Sequence, residues 1–146
     1  MKFLLTNDDG YDAPGLSALI CLSETLGTTV VAAPDTSRSG IGHQVTAYDP
    51  IRVDEEAENR YRVYGTPADC SRLGLIHFAP DADWVIAGIN NGGNLGADVY
   101  ISGTVAAARE AALLGYRSMA FSHYVGRDRS VDWVLTKHRM MPILEI

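Results

Sequence analysis

Four short apolar runs that do not alternate with polar residues constrain this chain more than any other feature. They are Lys2 to Thr6, Thr29 to Ala33, Trp84 to Ile89 and Ser118 to Ser122. A strand with one wet face alternates apolar and polar side chains. A strand covered on both faces reads as an unbroken apolar run, the signature of a parallel sheet. Segments with helical spacing fall between the runs. Pro14 suits the first turn of a helix carrying Leu16, Leu19, Ile20 and Leu26 and closing at Gly27. Residues 67–77 and 104–114 predict two further helices, the second stopped by Gly115. This β–α–β alternation predicts an α/β, Rossmann-like doubly wound and mostly parallel sheet. Tyr48 to Val53 and Arg60 to Tyr64 alternate in polarity and predict a small inserted strand pair near residues 45–64. Neither a repeat nor a linker divides the 146 residues, so residues 1–146 read as a single domain.

Charge and thiols narrow the partners. Twelve Lys and Arg against 18 Asp and Glu leave a net charge of −6. A polyanion binder needs a basic face from which counterions are released, so a nucleic-acid polymer is not an expected partner. The one local basic excess, Arg127, Arg129, Lys137 and Arg139, reads as a solvated helix face. No run of about 20 apolar residues exists, so no membrane span is expected. The N-terminus turns acidic at Asp8 and Asp9, too soon for a signal peptide, which points to the cytoplasm. Cys21 and Cys70 match no CxxC spacing and are expected to be reduced, buried thiols. Trp133, Val134, Met140, Met141, Ile143 and Leu144 make an apolar tail that Pro142 interrupts; it is expected to be exposed unless a partner covers it.

Ligands of open α/β sheets bind outside the carboxyl ends of the strands, so the residues after each apolar run matter most. Asn7-Asp8-Asp9-Gly10 follows the first. Pro34-Asp35-Thr36-Ser37-Arg38-Ser39-Gly40 follows the second, and Asn90 to Asp98 follows the Trp84 run. Two adjacent carboxylates repel, and a buried pair persists only with a cation or proton between them. Oxygen donors of this kind, with an Asn carbonyl and a Ser hydroxyl, suit a hard divalent ion such as Mg²⁺ or Mn²⁺. The same Asp pair would equally serve a solvated turn with an Asp cap on the next helix. Ser102-Gly103-Thr104 opens an Ala-rich helix, and the free N–H groups of such an end attract an anion; a plain Ser cap gives the same pattern. A cation site and an anion site on one sheet edge together describe phosphoryl chemistry. His43 lies in the Gly-rich loop near this edge, whereas His77, His123 and His138 read as structural or solvated.

These motifs resemble those of the SurE family of metal-dependent 5′/3′-nucleotidases. The match runs through Thr6-Asn7-Asp8-Asp9-Gly10 with Ala13-Pro14-Gly15, Ala33-Pro34-Asp35 with Arg38-Ser39-Gly40, and Gly65-Thr66-Pro67-Ala68-Asp69-Cys70. It continues through Gly88-Ile89-Asn90 with Asn94-Leu95-Gly96, and Ser102-Gly103-Thr104-Val105-Ala106-Ala107-Ala108. The resemblance implies a phosphoric monoester hydrolase acting on nucleoside 5′- and 3′-monophosphates. It implies one divalent cation, Mg²⁺ or Mn²⁺, on Asp8, Asp9, Ser39 and Asn90, and phosphate at Asn94, Ser102, Gly103 and Thr104. Water would attack in line, with Asp8 or Asp9 as the catalytic group orienting it. Family members form homodimers or homotetramers through a later segment, and they are longer than this chain. The alternative is therefore a truncated member that binds metal and nucleotide but turns over weakly or not at all. A receiver-like signalling module is a remote rival: Asn90 stands where its acceptor Asp would be, and no Lys follows the Phe121 run. An aspartyl-nucleophile phosphatase would want Asp-x-Asp where this chain has Asp8-Asp9-Gly10.

Overall fold

The structure is a computed structural model that describes residues 1–126 and 129–144. Arg127 of the basic excess and residues 145–146, which follow the apolar tail, lie outside the described residues. Six strands form one sheet: β1 (Lys2–Thr6), β2 (Thr28–Pro34), β3 (Val53–Ala57), β4 (Arg60–Val63), β5 (Trp84–Asn91) and β6 (Arg117–His123), in spatial order β3-β4-β2-β1-β5-β6. Every neighbouring pair is parallel except β3–β4. The helices are α1 (Pro14–Ser23), α2 (Pro67–Leu73), α3 (Asp98–Ile101), α4 (Gly103–Leu113) and α5 (Trp133–Leu144).

Alternate residues of the central strands supply two cores. Phe3, Leu5, Val31, Ala33 and Ile86 pack with Leu16, Leu19 and Leu22 of α1 and with Met140 and Leu144 of α5. Leu4, Val30, Ala32 and Val85 pack on the other face with Cys70 of α2, Leu75 and Ala111 of α4. The register, with Leu4 beside both Val30 and Val85, aligns these side chains across the sheet. Each fully buried Leu, Val, Ile or Phe among them contributes about 1.5–3 kcal/mol. Unbroken apolar runs are what two covered faces require, so the expected doubly wound architecture holds.

Three boundaries differ from the sequence expectations. The strand pair exists, but its first member is Val53–Ala57 rather than Tyr48 to Val53, and β4 also pairs in parallel with β2, so the pair extends the main sheet. Asp54, Glu55 and Glu56 disguise β3, since an outermost strand tolerates charge that blunts edge-to-edge association. The helix from Pro67 is α-helical only to Leu73 and continues as a π turn over Gly74–Phe78. Helix α1 stops at Ser23, four residues before Gly27.

The tail is the main correction. Asp132 accepts the N–H groups of Val134 and Leu135, both at 3.0 Å, and so caps α5. Met140 and Leu144 are buried against α1, and Trp133 and Met141 pack beside them. Val134, Leu135 and Ile143 are the exposed large apolar side chains of α5. Cys21 is exposed rather than buried, with Lys137 Nζ 3.4 Å from its Sγ, whereas Cys70 is fully buried. Among the described residues no helix is long and apolar enough to cross a membrane.

Candidate active site at the strand-order switch

From β1 the chain passes to β2 on one side, while β5 lies on the other. The carboxyl ends of β1 and β5 therefore border the crevice where strand order reverses, the place ligands occupy in open α/β sheets. Asn7 shapes the turn after β1: its Nδ2 donates to the Gly10 carbonyl at 2.8 Å, and its Oδ1 accepts the Gly10 N–H at 3.3 Å. Gly10 has φ +107°, a backbone that a side chain would strain. The closed turn holds Asp8 and Asp9 at the strand end.

Asp8 is buried, and its Oδ1 accepts the Thr104 hydroxyl from the first turn of α4. Burial pushes its carboxyl above the ordinary 3.8; the Thr104 hydrogen bond opposes this and the neighbouring Asp9 charge adds to it. Asp9 is more open, and its Oδ2 accepts the Asn91 N–H at 3.1 Å. The loop after β2 is drawn in by its own backbone, with Arg38 N–H donating to the Asp8 carbonyl at 2.7 Å. That contact carries Ser39 to the rim, where its Oγ stands 3.2 Å from Ser37 Oγ. At the end of β5, Asn90 Nδ2 donates to the Gly92 carbonyl at 2.9 Å, which leaves the carbonyl end of its amide to accept. Asn94 Nδ2 donates to Ser122 Oγ at 2.7 Å, tying this loop to β6.

One cleft of about 290 Å³ brings together Asp8, Asp9, Ser39, Asn90, Asn94 and Ser102. Gly103 and Thr104 do not line it. Gly103 lies behind Asp8, where an added Cβ would come within 2.6 Å of the Asp8 Cβ. Thr104 is buried, and its hydroxyl is engaged with Asp8. Ser102 caps α4, its Oγ accepting the Val105 N–H at 3.1 Å. His43 is also absent from the lining; its Nε2 is hydrogen-bonded to Glu110 Oε2 at 2.8 Å. His123 Nδ1 is hydrogen-bonded to Thr136 Oγ1 at 2.8 Å, a structural tie between β6 and α5. Asp98 lines the cleft as well, although sequence reasoning gave it no role. A wider cavity of about 800 Å³ opens alongside, sharing Asp9 and Asn91 and walled by Tyr11, Asp12, Arg129 and Trp133.

The donor set fits a hard divalent cation. Among the described residues no three His, Cys, Asp or Glu side chains form a metal-binding group; the cleft instead mixes the carboxylates of Asp8, Asp9 and Asp98 with the Ser39 and Ser102 hydroxyls and the Asn90 and Asn94 amides. Such a mixed oxygen set, with water completing the shell, is what Mg²⁺ and Mn²⁺ take, and it excludes a soft thiolate site. The Asp8 and Asp9 carboxylates would balance one doubly charged ion, and the buried Asp8 would gain most from a neighbouring positive charge.

The fold and this cleft define a doubly wound α/β protein whose hard-oxygen donors meet a helix N-terminus at the strand-order switch. The chain belongs to the survival protein SurE family, whose model matches residues 3–144. A relative from Synechocystis is 55% identical over 139 residues, covering 94% of this chain and 60% of the relative. The 5′-nucleotidase SurE of Vibrio cholerae is 45% identical over 150 residues, covering 98% and 60%. The crystal structure of the SurE protein from Aquifex aeolicus superposes with a TM-score of 0.92 at 39% identity, covering 99% of this chain and 59% of that one. The chain thus spans about 60% of the length of these relatives.

Proposed function

We propose that this domain is a divalent-metal-dependent phosphomonoesterase that hydrolyses nucleoside 5′- and 3′-monophosphates to nucleoside and phosphate. The observation that carries the reading is the convergence of Asp8, Asp9, Ser39, Asn90, Asn94 and Ser102 on a single cleft. Relatives named 5′-nucleotidase support the substrate class.

Asp8, Asp9, Ser39 and Asn90 would hold one Mg²⁺ or Mn²⁺. When bound, such an ion polarises a phosphoryl oxygen and lowers the pKa of a nearby water. The protein's own groups do the rest. Thr104 restrains the Asp8 carboxylate by donating its hydroxyl to Oδ1, which leaves Oδ2 as the oxygen without that bond. The more open Asp9 orients the attacking water in line with the departing oxygen. Asn94 and Ser102 would receive the phosphate at the N-terminal end of α4, whose dipole favours its charge. Thr104 contributes its hydroxyl's hold on Asp8, and Gly103 the close approach of α4 to that residue.

A second reading is a chain that binds metal and nucleotide but turns over weakly or not at all. Phosphate release from a panel of nucleoside 5′- and 3′-monophosphates, with Mn²⁺, Mg²⁺ or chelator, separates the two. The expected result is release that chelator abolishes and that Asp8→Asn lowers by roughly 100-fold or more, since several kcal/mol of charge stabilisation are lost. Release that Asp8→Asn leaves unchanged overturns the assignment. Calorimetric binding of nucleotide and Mn²⁺ without release selects the second reading.

A further inference from the structure

Residues 35–52 carry Ser39 and form neither helix nor strand, a long connection of the kind that is usually functional. Gly40 and Gly42, at φ +76° and +63°, give the stretch beyond Ser39 little stiffness of its own. Its fixation comes from outside. Gly42 N–H donates to the Ile101 carbonyl at 2.9 Å. His43 Nε2 meets Glu110 Oε2 at 2.8 Å. Thr46 donates its N–H to Asp69 Oδ1 at 2.9 Å and its hydroxyl to Asp69 Oδ2 at 2.7 Å.

The two carboxylates that receive these contacts are almost wholly buried, Asp69 at 1% and Glu110 at 4% exposure, and neither lines the cleft. Both are held from behind by α2 and its cap. Arg72 Nε and Nη2 donate to Glu110 Oε1 at 2.9 and 2.7 Å. Thr66 N–H donates to Asp69 Oδ2 at 3.0 Å. Buried carboxyl oxygens need hydrogen-bond partners. Here the helix layer supplies part of each set, and the Ser39 loop supplies the remainder.

We propose that Glu110 and Asp69 are positioning residues that set where Ser39 stands relative to Asp8 and Asp9, with His43 and Thr46 as the loop's half of the two clamps. The proposal rests on the reading that Ser39 helps to hold the cation. Groups that orient a metal ligand are worth roughly 10-fold or more in metal affinity. A clamp that acts through Ser39 has no effect once the Ser39 hydroxyl is gone.

The test is the dissociation constant of Mn²⁺ alone, measured by calorimetry on the full chain. Ser39→Ala and His43→Leu are each expected to weaken Mn²⁺ roughly 10-fold. The double variant is expected to bind no more weakly than Ser39→Ala. His43→Gln, which keeps an N–H able to reach Glu110, is expected to stay near wild type. Thr46→Val, which keeps the backbone contact to Asp69 and loses the hydroxyl, should fall between. Leu22→Ala, a core change on α1, is expected to lower thermal stability and leave Mn²⁺ affinity unchanged. Wild-type affinity in His43→Leu overturns the proposal while leaving the proposed function standing, and so does an additive loss in the double variant. Unchanged binding in Ser39→Ala overturns the Ser39 ligand assignment and the clamp with it. A wild-type chain that binds no Mn²⁺ overturns the proposed function itself.

Discussion

Asp8 shows how one residue links fold, acidity and chemistry. Its carboxyl is buried beside a second carboxylate, so the folded protein without metal holds the Asp8 proton more tightly than the unfolded chain does. Stability then falls as pH rises from the unfolded value of 3.8 through the raised folded value, and the penalty is complete above it. Asp8→Asn removes the charge but keeps the shape. Urea denaturation of metal-free protein should therefore show a stability difference, wild type minus Asp8→Asn, that becomes more unfavourable between pH 4 and pH 7. A difference that does not change with pH would mean that burial does not govern this carboxyl. The acidic pair was legible because two adjacent carboxylates follow an unbroken apolar run, at the strand end where such sheets bind ligands. Thr104 was not, because a Thr at a helix start reads as a cap or an anion contact, and nothing local reveals that its hydroxyl reaches Asp8 across 96 residues. The two thiols divide along the same line. Cys70 is fully buried and its thiol is pushed up by desolvation, while Cys21 is exposed. A thiol reagent is expected to modify one cysteine in the native protein and both in denaturant; two fast-reacting native thiols would contradict the burial of Cys70.

At the scale of elements, the N-terminus of α4 does two jobs with consecutive residues. Ser102 ends the preceding segment with extended backbone and accepts the Val105 N–H, so Ser102→Ala should cost about 0.5–2 kcal/mol through loss of the cap. Gly103 is constrained by proximity instead: a methyl group there would lie within 2.6 Å of the Asp8 Cβ and 3.1 Å of the Pro67 Cγ. Backbone and packed side chains cannot yield that distance locally. Gly103→Ala is therefore expected to displace α4 from the β1 turn and to weaken Mn²⁺ binding more than Ser102→Ala does, despite adding only one carbon. Equal Mn²⁺ affinity in the two variants would show that α4 does not need so close an approach to Asp8. The sequence made the helix start legible as a Ser-Gly-Thr opening, but the reason for the glycine required the packing partner. Strand β3 was hidden for the converse reason. Its local chemistry, Asp54-Glu55-Glu56, suits an exposed edge, and only pairing with β4 makes it a strand. The capping box of Thr66 and Asp69 was available in the Thr-x-x-Asp spacing, yet the loop that Asp69 also receives is 23 residues distant and carries no local sign of the contact.

For the molecule as a whole, the apolar tail decides whether these 146 residues close their own core. The sequence reading expected an exposed tail unless a partner covered it, with Pro142 interrupting its apolar residues. The structure instead lays α5 against α1, continuing the helix through Pro142 without the backbone bond that proline cannot donate. Met140 at 5% and Leu144 at 1% exposure fill the same core as Phe3, Leu5 and Ile86, while Val134 at 73% faces outward. Two covered sheet faces require helices on both sides, and α1 alone would leave part of one face wet. If α5 completes that face, truncating a buried member of it must be felt by the entire cooperative unit. Met140→Ala is expected to cost about 2–5 kcal/mol, a fall of about 2–4 °C in Tm for each kcal/mol in a chain of this size. Val134→Ala, on the outer side of the same helix, should stay within about 0.5 kcal/mol. Thermal denaturation of the two variants compares the inner and outer faces directly. Equal, small shifts would mean that α5 does not belong to the core, and that the first face of the sheet is closed by something other than these residues.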